Sequence, residues 1–151
     1  MPRLLVVHHT VSPSTDELLE SVLRGTADET IEGVDVVVRA ALAATATDVL
    51  DADGYLLGTP ANIGYISGAL KHFFDTVYYP CREATRGRPY AAYVHGNLDG
   101  GGAIRAIETI TAGLGWSPVA PILTVAGALG RPEREAAYEL GGTIAATLAV
   151  T

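Results

Sequence analysis

Five short apolar runs, Leu4–Val7, Val34–Val38, Tyr55–Leu57, Tyr90–Val94 and Ile122–Val125, recur along the chain without polar alternation. A run that is apolar on both faces reads as a strand buried on both faces, which is how parallel sheets covered by helices are written. Between the runs the spacing becomes helical. Leu18, Leu19, Val22 and Leu23 form one stripe, Leu70, Phe73, Phe74 and Val77 a second, Ile104, Ile107, Ile110 and Leu114 a third, and Leu140, Ile144 and Leu148 a fourth. A short helix is expected over 45–50. Strands alternating with helices imply right-handed crossovers, and five of each in 151 residues predict an α/β fold: a doubly wound five-stranded parallel sheet in the order 2-1-3-4-5, in one domain over 1–151. Pro121 opens the last strand and cannot donate to a ladder, so it belongs at an edge, where that order puts it.

Composition narrows the function classes. A formal charge of −7 opposes nucleic-acid binding, which rests on lysine and arginine neutralising phosphates. The apolar runs stop well short of the roughly 20 residues a membrane span requires, and Pro2-Arg3 followed by four apolar residues does not read as a secretion signal. The lone Cys81 excludes an internal disulfide framework and suits a cytoplasmic protein. Against this acidity, Lys71, Arg82, Arg86 and Arg88 gather in and just after the second helical stripe. They read as a solvated face, or as a contact for an anionic partner.

In a doubly wound sheet the ligand lies beyond the carboxyl ends of the strands, so three loops matter. The first, "HHTVSPSTDELLE" at 8–20, crowds Thr10, Ser12, Ser14 and Thr15 before a helix and holds no lysine, arginine or glycine. Ser14 to Glu17 has the form of a capping box. Thr10 and Ser12 stand too early for that. Hydroxyls and free amides at a helix N-terminus make an anion site without formal positive charge, and a phosphate monoester suits it, with Asp16 and Glu17 turned outward. The second loop is "GTPANIGYISG" at 58–68 and the third "HGNLDGGGA" at 95–103.

The stretch "GTPANIGYISGALKHFFDTV", with Gly58-Thr59-Pro60, Ile66-Ser67-Gly68, Leu70-Lys71 and Phe73-Phe74-Asp75, resembles the flavin loop and following helix of the flavodoxin-like family, in its NAD(P)H-dependent FMN-reductase and quinone-reductase branches. "HGNLDGGGAIRAIETI" is similar to that family's third loop, and "TVSPST" takes the place of its phosphate loop, without the Gly-Asn or Gly-His pair that many members carry there. The resemblance implies FMN, with Thr10, Ser12, Ser14 and Thr15 on its phosphate and His9 alongside. It implies an isoalloxazine ring lying between Thr59, Pro60, Ala61, Asn62, Ile63, Gly64 and Tyr65 on one side and His95, Gly96, Asn97, Gly100, Gly101 and Gly102 on the other. It further implies NAD(P)H as electron donor, passing electrons through FMN to a quinone, a flavin or a similar acceptor, in a protein that can be a homodimer; Lys71, Arg82, Arg86 and Arg88, in and after the helix that leaves the flavin loop, are expected to meet the phosphates of that nucleotide as it arrives over the ring. A non-enzymatic electron carrier that docks on redox partner proteins is the alternative, and a relative that only binds is a third.

Rival chemistries of the same architecture fare worse. A phosphoacceptor receiver needs paired acids after the first strand and a lysine after the fifth; this chain has His8-His9 and Ala126-Gly127. A cysteine phosphatase loop needs five residues between Cys and Arg, and "CREATR" has four. His8 and His9 are neighbours on a strand and point to opposite faces, so they do not share a metal ion, and none of the four histidines is assigned one.

Overall fold

The computed structural model describes residues 1–97 and 100–150. Twelve elements follow in the order β1 (Arg3–His8), α1 (Pro13–Thr26), β2 (Asp35–Ala40), α2 (Ala46–Asp51), β3 (Gly54–Asn62), β4 (Tyr65–Ile66), α3 (Gly68–Cys81), β5 (Pro89–Gly96), α4 (Gly101–Leu114), β6 (Ser117–Pro118), β7 (Leu123–Ala126) and α5 (Arg131–Ala149). β2, β1, β3 and β5 lie side by side and parallel, and the fifth position is shared by two short segments, β6 and β7, both parallel to β5. The order expected from the sequence is therefore the order found. The edge position breaks into two pieces around Pro121, where a residue without an N–H interrupts the ladder.

Burial on both faces is what made the runs readable. Leu5, Val7, Tyr55, Leu57, Ala92 and Val94 face a core closed by α2, α3 and α4, with Phe73, Phe74, Ile107 and Trp116. Their neighbours Leu4, Val6, Leu56, Ala91 and Tyr93 face a second core with Leu18 and Val22 of α1 and Ile144 and Leu148 of α5. Each fully buried aliphatic or aromatic side chain contributes about 1.5–3 kcal/mol. Helices α1 and α5 pack with backbones nearly touching: a Cβ on Gly25 would stand 1.9 Å from the Tyr138 carbonyl oxygen, and one on Gly141 2.0 Å from that of Val22.

The amino-terminal edge of the sheet is stapled. Tyr55 stacks on Trp116 with ring centroids 3.9 Å apart, and the Trp116 indole N–H donates to Thr85 Oγ1 at 2.9 Å. One guanidinium nitrogen of Arg88 donates to the carbonyls of Val49, Leu50 and Ala52 at 3.3, 3.0 and 2.6 Å, satisfying acceptors that the end of α2 leaves open. The Tyr55 hydroxyl donates to Val49 O at 2.6 Å, and burial pushes its pKa up to about 12. This end only turns the chain. Among the described residues no helix is long and apolar enough to cross a membrane.

Candidate flavin site at the carboxyl edge of the sheet

The hydroxyl turn departs from the expected cap. Helix α1 starts at Pro13, whose fixed φ suits the first helical position, so the cap is Ser12 and not Ser14: Ser12 Oγ accepts the Thr15 N–H at 3.1 Å. Thr15 is fully buried, and its Oγ1 accepts the amides of Val11 and Ser12, each at 3.0 Å. Two of the four hydroxyls thus build the turn itself. Thr10 Oγ1 lies 2.8 Å from Nδ1 of His8, whose pKa is lowered, first by burial and then by His9. Ser14, one residue into the helix, keeps both its hydroxyl and its amide free of protein partners among the described residues, as does the amide of Thr10. Asp16 points to solvent as expected, whereas Glu17 is half-buried and leans toward Arg134 of α5, 4.0 Å away.

The second loop is a hairpin. Strand β3 runs past the sheet and folds back as β4, with Ala61 opposite Ile66 and Asn62 opposite Tyr65. Two successive left-handed residues, Ile63 at φ 50° and Gly64 at φ 74°, form the turn that matches strand twist in two-residue hairpins. A β-branched residue there is strained, and Ile63 is also fully exposed. Below the tip, Thr59 Oγ1 donates to the Pro60 carbonyl at 2.8 Å and accepts the Ser67 amide at 3.1 Å, while Ser67 Oγ caps α3 through Leu70 N–H at 3.1 Å. Thr59 and Pro60 are accordingly buried in the hairpin's base, leaving Asn62 to Tyr65 as its exposed part.

The hairpin rests on the third loop. A Cβ on Gly102 would fall 1.7 Å from the Gly64 carbonyl oxygen, so the glycine is what lets the tip lie against the start of α4. His95, 8% exposed, sends its ring Nε2 to the Gly127 carbonyl at 2.7 Å; a carbonyl only accepts, so this nitrogen carries the proton. Gly96 and Asn97 follow at the surface, and Gly100 packs under Thr124 and Val94. Leu98 and Asp99, inside the 95–102 span expected to surround the ring, lie outside the described residues. The sequence reading missed the Gly127–Gly130 turn, whose carbonyl orients His95. Its signal was present, since it too follows the carboxyl end of a strand and is bracketed by glycines.

The basic group does not converge on this site. Lys71 pairs with Asp75 at 2.7 Å, Arg82 and Arg86 share Glu83 at 3.6 and 3.7 Å, and Arg88 holds α2. Helix α3 descends from the carboxyl edge over 14 residues, about 21 Å at 1.5 Å per residue, so the three arginines that follow it sit at the opposite end. The expectation that this cluster meets the phosphates of a nicotinamide nucleotide over the ring is corrected on that ground. Cys81 is buried and unpaired, its thiol pushed up by burial, and no group of three or more metal-ligating side chains gathers among the described residues.

The sequence pattern of the NADPH-dependent FMN reductase family matches residues 12–130, a span that begins at the Ser12 cap and takes in the hairpin, α4 and the Gly127 turn. The chain belongs to that family. Besides this FMN-reductase match, the chain is 31% identical over 112 residues to a flavodoxin of Aquifex aeolicus (strain VF5), covering 74% of this chain and 60% of that protein, so the match spans under two thirds of the relative. Among solved structures, a flavodoxin from the domain Archaea superposes with a TM-score of 0.83 at 19% identity, over 97% of this chain and 98% of that one. The flavodoxin WrbA-like protein of Agrobacterium tumefaciens gives 0.79 at 16%, over 98% of each. The rubredoxin oxygen:oxidoreductase of Desulfovibrio gigas gives 0.81 at 14%, over 98% of this chain and 36% of that one. At these identities the structures establish the flavodoxin-like fold.

FMN is the cofactor that membership of this family carries, and this chain has the donors for it. The free hydroxyl and amide of Ser14 and the amide of Thr10 stand at the N-terminus of α1, where the helix dipole favours an anion. His9 Nδ1, just past the end of β1, is buried with no hydrogen-bond partner among the described residues, and a buried orphan polar atom calls for one. The residues present therefore fit a phosphate-bearing group beside β1.

Proposed function

We propose that the chain is an FMN-dependent oxidoreductase that draws two electrons from a nicotinamide nucleotide and delivers them to a quinone, a flavin or a similar acceptor. The observation that carries this reading is the set of unused donors at the start of α1, Ser14 Oγ and N–H and Thr10 N–H, next to the orphaned His9 nitrogen. Bound FMN supplies the redox chemistry. The protein's part is to hold and orient: Ser14 and the first turn of α1 for the phosphate, the Asn62–Tyr65 tip and the start of α4 for the ring, and His95, its Nε2–H held by Gly127, as an acceptor through Nδ1 at the ring's edge. No side chain of the site is cast as acid, base or nucleophile.

The carrier alternative keeps one support, the likeness to the Aquifex aeolicus flavodoxin. One experiment separates the two. FMN-loaded protein mixed anaerobically with NADPH or NADH should lose its flavin absorbance in a single two-electron step. Bleaching by dithionite alone, with neither nucleotide acting, makes the chain a carrier.

A further inference from the structure

The groove between the β3–β4 hairpin and α4 is lined by an exposed cation, Arg105, with no counter-charge among the described residues. Every other lysine and arginine among the described residues has a carboxylate within 4.0 Å or, for Arg88, a set of carbonyls. Arg105 has neither. Glu108, three positions on and within reach by helix geometry, is not used; Arg105 instead lines a concavity of about 460 Å³ with Gly64, Tyr65, Gly102 and Thr109. In a molecule of net charge −7 an unopposed guanidinium is a local attraction for an anion. Two walls of the concavity, Gly64 and Gly102, are the contact that shapes the flavin end of the site.

We infer that this groove receives the phosphate-bearing part of the nicotinamide nucleotide, with Arg105 as its anion contact. The inference rests on the reductase reading and names where its electron donor binds. The volume falls in the ordinary range of small-molecule sites, a guanidinium is the side chain best matched to phosphate oxygens, and Tyr65, 43% exposed, offers a ring face beside it. Ile110, which lines this concavity, also lines a second depression of about 180 Å³ between α3 and α4 beside Tyr78 and Tyr79, which offers an adenosine a neighbouring surface. An acidic protein partner is disfavoured, because a protein docking face needs several complementary charges, and here a single exposed cation lines the depression.

The phosphate could be the pyrophosphate of either nucleotide or the 2′-phosphate of NADPH, and redox-inert fragments distinguish them. ADP-ribose and 2′-phospho-ADP-ribose are titrated into FMN-loaded wild type, Arg105→Ala and Arg105→Lys. The expected result is binding of wild type that weakens about ten-fold or more in Arg105→Ala, the size of one charge-assisted contact, with partial recovery in Arg105→Lys. Equal losses for both fragments assign the pyrophosphate, and loss for the 2′-phospho compound alone assigns the 2′-phosphate. In flavin reduction the same variant should need about ten-fold more nucleotide, the deficit vanishing at saturation. If nucleotides reduce wild type and Arg105→Ala at equal apparent Kd, the inference falls while the reductase reading stands. If fragments bind through Arg105 but neither nucleotide bleaches the flavin, the site stands and the reductase reading falls. If wild type binds neither fragment, or Arg105→Ala changes sedimentation from dimer to monomer, the groove holds a second copy of the chain or nothing, and the inference is overturned.

Discussion

Replacing Gly102 by alanine tests how the flavin end is built. Real Cβ contacts do not come under 3.0 Å, and the new methyl would start 1.7 Å from the Gly64 carbonyl oxygen, so one side must retreat by at least about 1.3 Å. Helix α4 is pinned by Ala103, Ala106 and Ile107 in the core. The hairpin tip, joined only by the Ala61–Ile66 and Asn62–Tyr65 pairs, is the side that yields. Overpacking costs about 1–3 kcal/mol, and alanine's advantage over glycine in a helix, up to about 1 kcal/mol, offsets part of it. The Tm should therefore move little, while FMN, whose ring the tip is proposed to hold, should bind about ten-fold or more weakly. Fluorescence titration of FMN reads the affinity, and hydrogen exchange at Tyr65 and Ile66 reads the hairpin. Gly68→Ala is the control, since a Cβ there meets nothing within 4 Å. Wild-type FMN affinity in Gly102→Ala, with the hairpin amides as protected as before, would refute the reasoning.

Ser14→Ala should weaken FMN about ten-fold or more and leave riboflavin nearly untouched, the loss of one hydrogen bond to a charged group; equal losses for both ligands sink the phosphate assignment. Ser12→Ala should behave differently, lowering stability by about 0.5–2 kcal/mol through the lost cap, which denaturant titration of the FMN-free protein measures. Arg88→Met should leave the carbonyls of Leu50 and Ala52 without their donor, Val49 keeping the Tyr55 hydroxyl, and lower the Tm by about 3–10 °C, with no change in the nucleotide concentration needed to reduce the flavin. His8 titrates below its ordinary 6.5 when folded. Stability should accordingly fall as pH drops below 6.5, where the unfolded chain takes up a proton that the folded one refuses, and His8→Asn should flatten that part of the slope in urea midpoints.

Much of the fold was legible because its signals are local. A strand buried on both faces must be apolar throughout, a helix against a sheet must carry one apolar stripe, and a proline in a strand must find an edge; each statement concerns residues within a turn or two of one another. The three loops became legible through the same logic, since a parallel sheet puts its ligand at the carboxyl ends. What stayed hidden involves partners far apart in the chain. Lys71 and Arg88 look like one basic cluster, but a 14-residue helix carries the chain to the other end of the sheet and turns Arg88 into a clamp on α2. Gly102 looks like a flexible loop residue until the hairpin, nearly 40 positions earlier, lays its carbonyl on it. Ser12 and Ser14 exchange roles because Pro13 starts the helix two residues sooner than the capping pattern suggests. The strand and helix pattern of this protein was determined by its sequence alone; which hydroxyls, glycines and arginines remain free to meet a ligand was decided only by the tertiary structure, because a polar group is free only after every group brought near it by folding has declined the bond.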